Sequence, residues 1–165
     1  MSFKVIRVGH LVLNVKDLER SRQFFTGVLG FPQVGANDFG MLFFSTDVDD
    51  NHHMLALREA KPGSATPVPG QIGMNHVSFE LGSFAELQEA YRKFMEYDVE
   101  IAMTVFHGVA KSIYFYDPDG NQLEVYCNVP PEQYRDAVDN PYYNYGGIED
   151  ELTGKVPQKI GTVAP

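Results

Sequence analysis

Apolar and polar residues alternate with period two in several short runs, and two of these runs open the same longer pattern. In residues 10–15, Leu11, Leu13 and Val15 fall on one side of an extended chain, and His10, Val12 and Asn14 on the other. In residues 76–81, Val77, Phe79 and Leu81 share a face opposite His76, Ser78 and Glu80. Each predicted strand has one apolar face and one face that carries a histidine. A polar turn and an amphipathic helix follow each. Ser83-Phe84-Ala85-Glu86 reads as a capping box, after which Phe84, Leu87, Tyr91, Phe94 and Met95 recur at helical spacing. In the first copy Asp17 is the predicted cap, Leu18, Phe25, Val28 and Leu29 the apolar stripe, and Gly30 the stop. Helices laid on the apolar strand faces leave the histidine faces looking into a concavity.

Further strands are predicted at 41–45 and 53–58 in the first half, and at 100–104, 112–116 and 122–127 in the second. Asp117-Pro118-Asp119-Gly120-Asn121 is the strongest hairpin turn in the chain. The Pro- and Gly-rich stretch 61–73 separates the halves. His10 and His76 occupy matched places 66 residues apart, so the order βαβββ occurs twice, as a repeat of pattern more than of letters. The predicted fold class is α+β. Two βαβββ units, about 6–60 and 72–128, form one open mixed-sheet barrel around a metal site in a domain spanning 1–128. A C-terminal extension, 129–165, contains Tyr134, Tyr142, Tyr143 and Tyr145. It is expected to pack along the barrel or a neighbouring subunit, against the simpler alternative of disorder after about Gly147.

Length and composition narrow the function classes. At 165 residues the chain suits one domain with a sizeable core. A net charge of −9 repels phosphate backbones, which argues against nucleic acid and anionic membranes as partners. No run approaches the ~18 apolar residues of a membrane span. The start, MSFKVIRVGH, lacks the layout of a secretion signal. Cys127 is the single cysteine, which excludes an internal disulfide framework and suits a reducing, cytoplasmic location.

In the last predicted strand Gln122, Glu124 and Tyr126 alternate with Leu123, Val125 and Cys127. Glu124 is therefore on the polar face of its strand, as His10 and His76 are on theirs. If the halves pack with these faces inward, two imidazoles and one carboxylate converge. Two His and one carboxylate on one face of an octahedral metal leave three positions open, the arrangement of non-haem Fe(II) oxygenases. A lone strand histidine is more often a hydrogen-bonded core or surface residue. Three candidate ligands at matched places in a repeated unit favour the metal reading.

GHLVLNV, NHVSFEL and IYFYDPDGNQLEVY resemble the vicinal oxygen chelate superfamily, most closely its type I extradiol ring-cleaving dioxygenases. The resemblance covers about residues 8–127. It implies that His10, His76 and Glu124 bind Fe(II), a ligand set that would equally serve Mn(II). His53, which opens HMLAL, resembles the family's histidine beside the metal, implying a general base that then acts as an acid. His107 and Tyr114, in VFHGVAKSIYFYDPDG, resemble the segment whose side chains hydrogen-bond the substrate oxygen. Tyr114 precedes Glu124 by ten residues, as in the family, but His107 precedes Tyr114 by only seven where the family loop is usually longer. The plainer alternatives are a turn pair at His52-His53, a core-edge aromatic at Tyr114 and an ordinary loop at His107-Gly108.

Aligning HMLALRE with NQLEVYC sets Ala56 opposite Glu124. Glyoxalase-like and epimerase relatives place a fourth ligand about there, and an alanine cannot ligate. Glu59 would fill that place only in a shifted register. The implied activity is cleavage of a catechol-type diol by O2, with the small-molecule diol and O2 as partners and a homo-oligomer as the expected assembly. The alternatives are a glyoxalase-like metal-dependent lyase or isomerase, and a metal-free small-molecule binding protein of the same fold.

Overall fold

The alternation at Leu11–Val15 does form a strand, β1, with Leu13 and Val15 buried and Val12 and Asn14 exposed. In the computed structural model, which describes residues 3–135 and 145–154, the chain divides into two compact units, Met1–Thr66 and Pro67–Pro165. After β1, helix α1 (Leu18–Gln23) is capped by Asp17, whose Oδ1 accepts from the Arg20 N–H at 2.9 Å. It passes directly into a π-helical turn, Phe24–Val28. The wider turn is where the structure departs from the regular helix expected of this segment. It puts the consecutive Phe24 and Phe25 both inside, with Val28, while Thr26 Oγ1 donates to the Arg22 carbonyl at 2.7 Å. Gly30, at φ 75°, ends the helix as expected.

Strands β2 (Gln33–Asn37), β3 (Met41–Phe44) and β4 (Leu55–Glu59) complete the first unit, and its sheet runs in the order β1-β4-β3-β2. Strand β2 has no counterpart among the strands predicted here. Its sequence, QVGAN, has no apolar alternation, and all but Gly35 of its residues are exposed, so it forms through pairing with β3 at the sheet edge. The fourth strand begins two residues later than predicted, which leaves His53 in the bend that precedes it.

The second unit repeats this plan. Strand β5 (Val77–Leu81) leads to helix α2 (Phe84–Glu96), then β6 (Ile101–Phe106), β7 (Ala110–Tyr116) and β8 (Gln122–Asn128), in the sheet order β5-β8-β7-β6. In both sheets the first strand pairs in parallel with the last, and the remaining pairs are antiparallel. Ser83 Oγ caps α2 by accepting from the Glu86 N–H at 3.3 Å. The Glu86 carboxylate reaches one residue further back than a capping box requires and accepts from the Gly82 N–H at 2.6 Å. Leu87 and Phe94 are buried, and Phe94 stacks on Phe115 of β7 at 4.4 Å between ring centres. Met95, expected on the buried stripe, is instead 61% exposed near the helix end.

The turn between β7 and β8 is built by Asp117. One carboxylate oxygen accepts from the Asp119 and Asn121 N–H groups at 2.9 and 2.8 Å, and the other from Asn121 Nδ2 at 2.8 Å. Gly120 takes the positive φ, 84°, that this turn needs.

Residues 145–154 pack within the second unit. Phe106 exchanges backbone bonds with Tyr145 and Gly146 at 2.8 and 2.9 Å, and the Ile148 N–H donates to Thr104 Oγ1 at 3.0 Å. Two short helices, α3 (Pro131–Tyr134) and α4 (Glu149–Leu152), follow β8. On α4, Leu152 is buried, Gln88 of α2 donates to the Glu151 carbonyl at 2.9 Å, and Lys111 pairs with the Glu151 carboxylate. Tyr142 and Tyr143 lie outside the described residues.

Candidate active site

The second unit brings four of the expected groups together. His76 sits one residue before β5, and Glu124 lies on β8 beside it through the parallel register Ser78↔Glu124. His76 Nε2 stands 3.1 Å from Glu124 Oε2, and His76 Nδ1 is 2.7 Å from Asn75 Oδ1. With that amide oxygen as acceptor, Nδ1 is a donor, and Nε2 is the ring nitrogen that faces a carboxylate only 7% exposed. A carboxylate so buried calls for a positive partner on that side, a proton on Nε2 or a metal ion shared with it. The donor set thus fits half of a nitrogen–oxygen metal site.

Tyr114 faces Glu124 directly across the β7–β8 ladder. Burial pushes its phenol up to about 12, reinforced by the charge of Glu124 and the hydrogen bond between them. The phenol is therefore a fixed donor at neutral pH. His107 Nε2 lies 3.1 Å from the same hydroxyl, which makes a relay His107–Tyr114–Glu124. Across the short spacing of seven residues His107 reaches the Tyr114 hydroxyl. The β6–β7 hairpin turns tightly there, with the His107 N–H donating to the Ala110 carbonyl at 2.8 Å and Gly108 at φ 85°. A cavity of about 360 Å³ opens on this face, lined by Ser78, His107, Val109, Ala110, Glu124 and Tyr126.

The first unit gathers imidazoles instead. His10, one residue before β1, packs on His53 at 4.6 Å between ring centres, and His53 also meets Phe43 at 5.2 Å. His52, which sequence reasoning treated only as half of a turn pair, contacts His53 through the two Nδ1 atoms. Asn51 holds this bend by donating to the Gly9 carbonyl at 2.7 Å. Desolvation holds His53 below the usual imidazole range, and the neighbouring His52 and His10 rings act in the same direction.

The registers make the comparison of the two units explicit. Ala56 pairs with Val12 and Phe43, as Glu124 pairs with Ser78 and Tyr114. The first unit therefore carries Ala and Phe where the second carries a carboxylate and a phenol. Glu59 pairs with Val15, three residues further along, so it falls on the opposite face from Ala56. Within either unit taken by itself, no three His, Cys, Asp or Glu side chains among the described residues form a metal-holding group. The ligand set expected from the sequence takes His10 from one unit, and His76 and Glu124 from the other. Asn75 and Val109 had no signal in the sequence, whereas Ser78 shares the face of His76, and Tyr126 that of Glu124, by simple alternation.

Comparisons with known proteins bear on this arrangement. Residues 7–125 match the model of the family described as the Glyoxalase/Bleomycin resistance protein/Dioxygenase superfamily. Over 141 residues the chain is 32% identical to biphenyl-2,3-diol 1,2-dioxygenase 3 of Rhodococcus globerulus, covering 83% of this chain and 72% of that protein. It is 29% identical over 123 residues to catechol-2,3-dioxygenase of Bacillus subtilis, covering 74% of this chain and 42% of that enzyme. Among solved structures, a glyoxylase/bleomycin resistance protein/dioxygenase domain from Frankia sp. superposes with a TM-score of 0.65. It has 21% identity over 76% of this chain and 100% of that one. The fosfomycin resistance protein FosX of Listeria monocytogenes superposes at 0.59, with 21% identity over 79% of this chain and 99% of that one.

Proposed function

Given that the chain belongs to the glyoxalase/bleomycin resistance protein/dioxygenase superfamily, we propose that it is an extradiol dioxygenase. In this reading it cleaves a catechol-type aromatic diol with O2 at a non-haem Fe(II) site held by His10, His76 and Glu124. The observation that carries the reading is the His107–Tyr114–Glu124 relay beside the His76–Glu124 pair, with Ala56 at the position that answers to Glu124 in the other unit. A lyase or isomerase of this fold with a fourth protein ligand there would need a donor, and an alanine methyl supplies none. The relatives named for biphenyl-2,3-diol and catechol point to the same chemistry.

Fe(II), or Mn(II) on the same ligands, would supply a Lewis acid that acidifies the diol and open positions where diol and O2 meet. The protein's part is positional and protonic. Asn75 orients His76 so that Nε2 is the donor atom. Tyr114 keeps its proton at neutral pH and would turn it from Glu124 to a substrate oxygen once Glu124 held a metal ion, with His107 holding the phenol from behind. His53, held below the usual imidazole range, stays neutral and able to accept a proton from the diol. The apolar wall at Val109 and Ala110 limits water on one side of the cavity.

The test is oxygen uptake by the anaerobically Fe(II)-loaded protein on mixing with catechols, together with the yellow ring-fission product. Tyr114→Phe should lower kcat by roughly 10²-fold while iron content is retained. Iron-loaded protein that consumes no oxygen with any catechol would overturn the proposal.

A further inference from the structure

We propose that the cavity of the second unit accepts a diol whose ring substituent is uncharged and rejects one whose substituent is anionic, with Glu80 as the specificity-determining residue. The inference rests on the diol reading above. It comes from what stands one step along the same sheet face. In the parallel β5–β8 register, Ser78 pairs with Glu124 and Glu80 with Tyr126. Tyr126 and Glu80 are thus two residues beyond Glu124, or roughly 7 Å along the strands. That is close to the width of an aromatic ring, so a ring held by its diol near Glu124 directs its substituent toward Tyr126.

At that end the lining residues offer an anion no positive charge. Tyr126 donates its hydroxyl proton to Glu80 Oε2 at 3.2 Å, so its remaining capacity is that of an acceptor. Asn128 Nδ2 is likewise bound to the Glu80 carboxylate. Val109 and Ala110 form an apolar wall, and no Lys or Arg lines the cavity among the described residues. The lysine of β7, Lys111, alternates to the other face of the sheet. There it pairs with Glu151 and lies over the Phe84 ring at 4.6 Å. Glu80 is held by the Tyr126 hydroxyl and the Asn128 amide and by no cation among the described residues, so a carboxylate, sulfonate or phosphonate arm would meet the Glu80 charge there, while a metal ion on Glu124 would stand at the other end of the ring. Glu80 is exposed, so water and salt soften the repulsion to about a tenfold effect.

Two probes with equal arms separate charge from size: 3-propylcatechol and 3-(2,3-dihydroxyphenyl)propionate. Their dissociation constants are measured anaerobically on the Fe(II)-loaded full chain, and kcat/KM is measured in air. The neutral probe should bind about tenfold or more tightly, and Glu80→Gln should narrow that ratio several-fold by tightening the carboxylate. Glu89→Gln on the outer face of α2 should not move it, and raising the salt should shrink the wild-type ratio even if Glu80→Gln misfolds. Equal binding of the two probes by the wild type, or a ratio that neither Glu80→Gln nor salt changes, overturns the inference. A charge preference in binding without ring cleavage upholds it and overturns the dioxygenase reading. Cleavage of both probes with equal kcat/KM does the reverse. Binding of neither overturns both.

Discussion

Leu152→Ala is the perturbation that most directly probes the docking of the C-terminal stretch. Leu152 is 3% exposed on the four-residue helix α4, which is too short to be stable by itself. It is held by α2 and by the strand-like pairing of Tyr145 and Gly146 with Phe106. Removing the side chain beyond Cβ deletes three carbons, about 2.4 kcal/mol at the usual ~0.8 kcal/mol per buried methylene. A cavity that cannot close raises this to about 3–4 kcal/mol, within the range found for buried Leu→Ala changes. In a chain of this size that lowers Tm by roughly 6–16 °C. Urea unfolding followed by far-UV circular dichroism should show a lower midpoint with an unchanged slope. Val34→Ala, on the half-exposed edge strand β2, should stay within about 0.5 kcal/mol of wild type. A Leu152→Ala protein as stable as wild type would mean that residues 145–154 do not rest on α2, and the reasoning would fail.

Two further outcomes follow from buried titratable groups. Burial holds the Asp117 carboxyl above its ordinary value despite the hydrogen bonds it accepts. Its ionisation therefore opposes folding, a penalty absent below the ordinary value near 3.8 and fully present above the raised folded value. The stability of Asp117→Asn relative to wild type should accordingly improve as pH rises from 3 toward neutrality; a difference that is flat or worsens in denaturation curves would refute this. The Cys127 thiol, 2% exposed, is pushed up by burial, so it should resist an aromatic disulfide reagent at pH 8 until urea unfolds the protein. Rapid labelling of the native protein would contradict its placement on β8.

Much of this architecture is legible in the sequence because its signals are local. The caps at Asp17 and Ser83, the stop at Gly30 and the turn at Asp117–Asn121 are short-range hydrogen-bond chemistry, and they appear where their residue types stand. The alignment of Ala56 with Glu124 also survives, since strand registers reproduce it from both neighbours. What escapes is set by geometry that residue type and periodicity do not encode. Strand β2 exists because β3 offers it a ladder, not because QVGAN alternates. The π-turn at Phe24–Val28 answers the demand to bury two consecutive phenylalanines, which helical periodicity does not register. The tightness of the hairpin that joins His107 to Tyr114 depends on the left-handed Gly108, so spacing in the sequence is a poor guide to distance there. Asn75 and His52 stand next to His76 and His53 in the chain, but whether neighbouring side chains turn toward each other is set by the local backbone and not by residue type.

The central proposal is that two histidines and one carboxylate hold a single metal ion with room left for substrate. The measurement that addresses it most directly is iron content after anaerobic Fe(II) loading and exhaustive dialysis. It should be compared for wild type, His10→Ala, His76→Ala and Glu124→Ala, with circular dichroism verifying that each is folded. The account predicts about one iron per chain in the wild type and its loss from each folded variant. Wild-type iron content in any one of the three would contradict it.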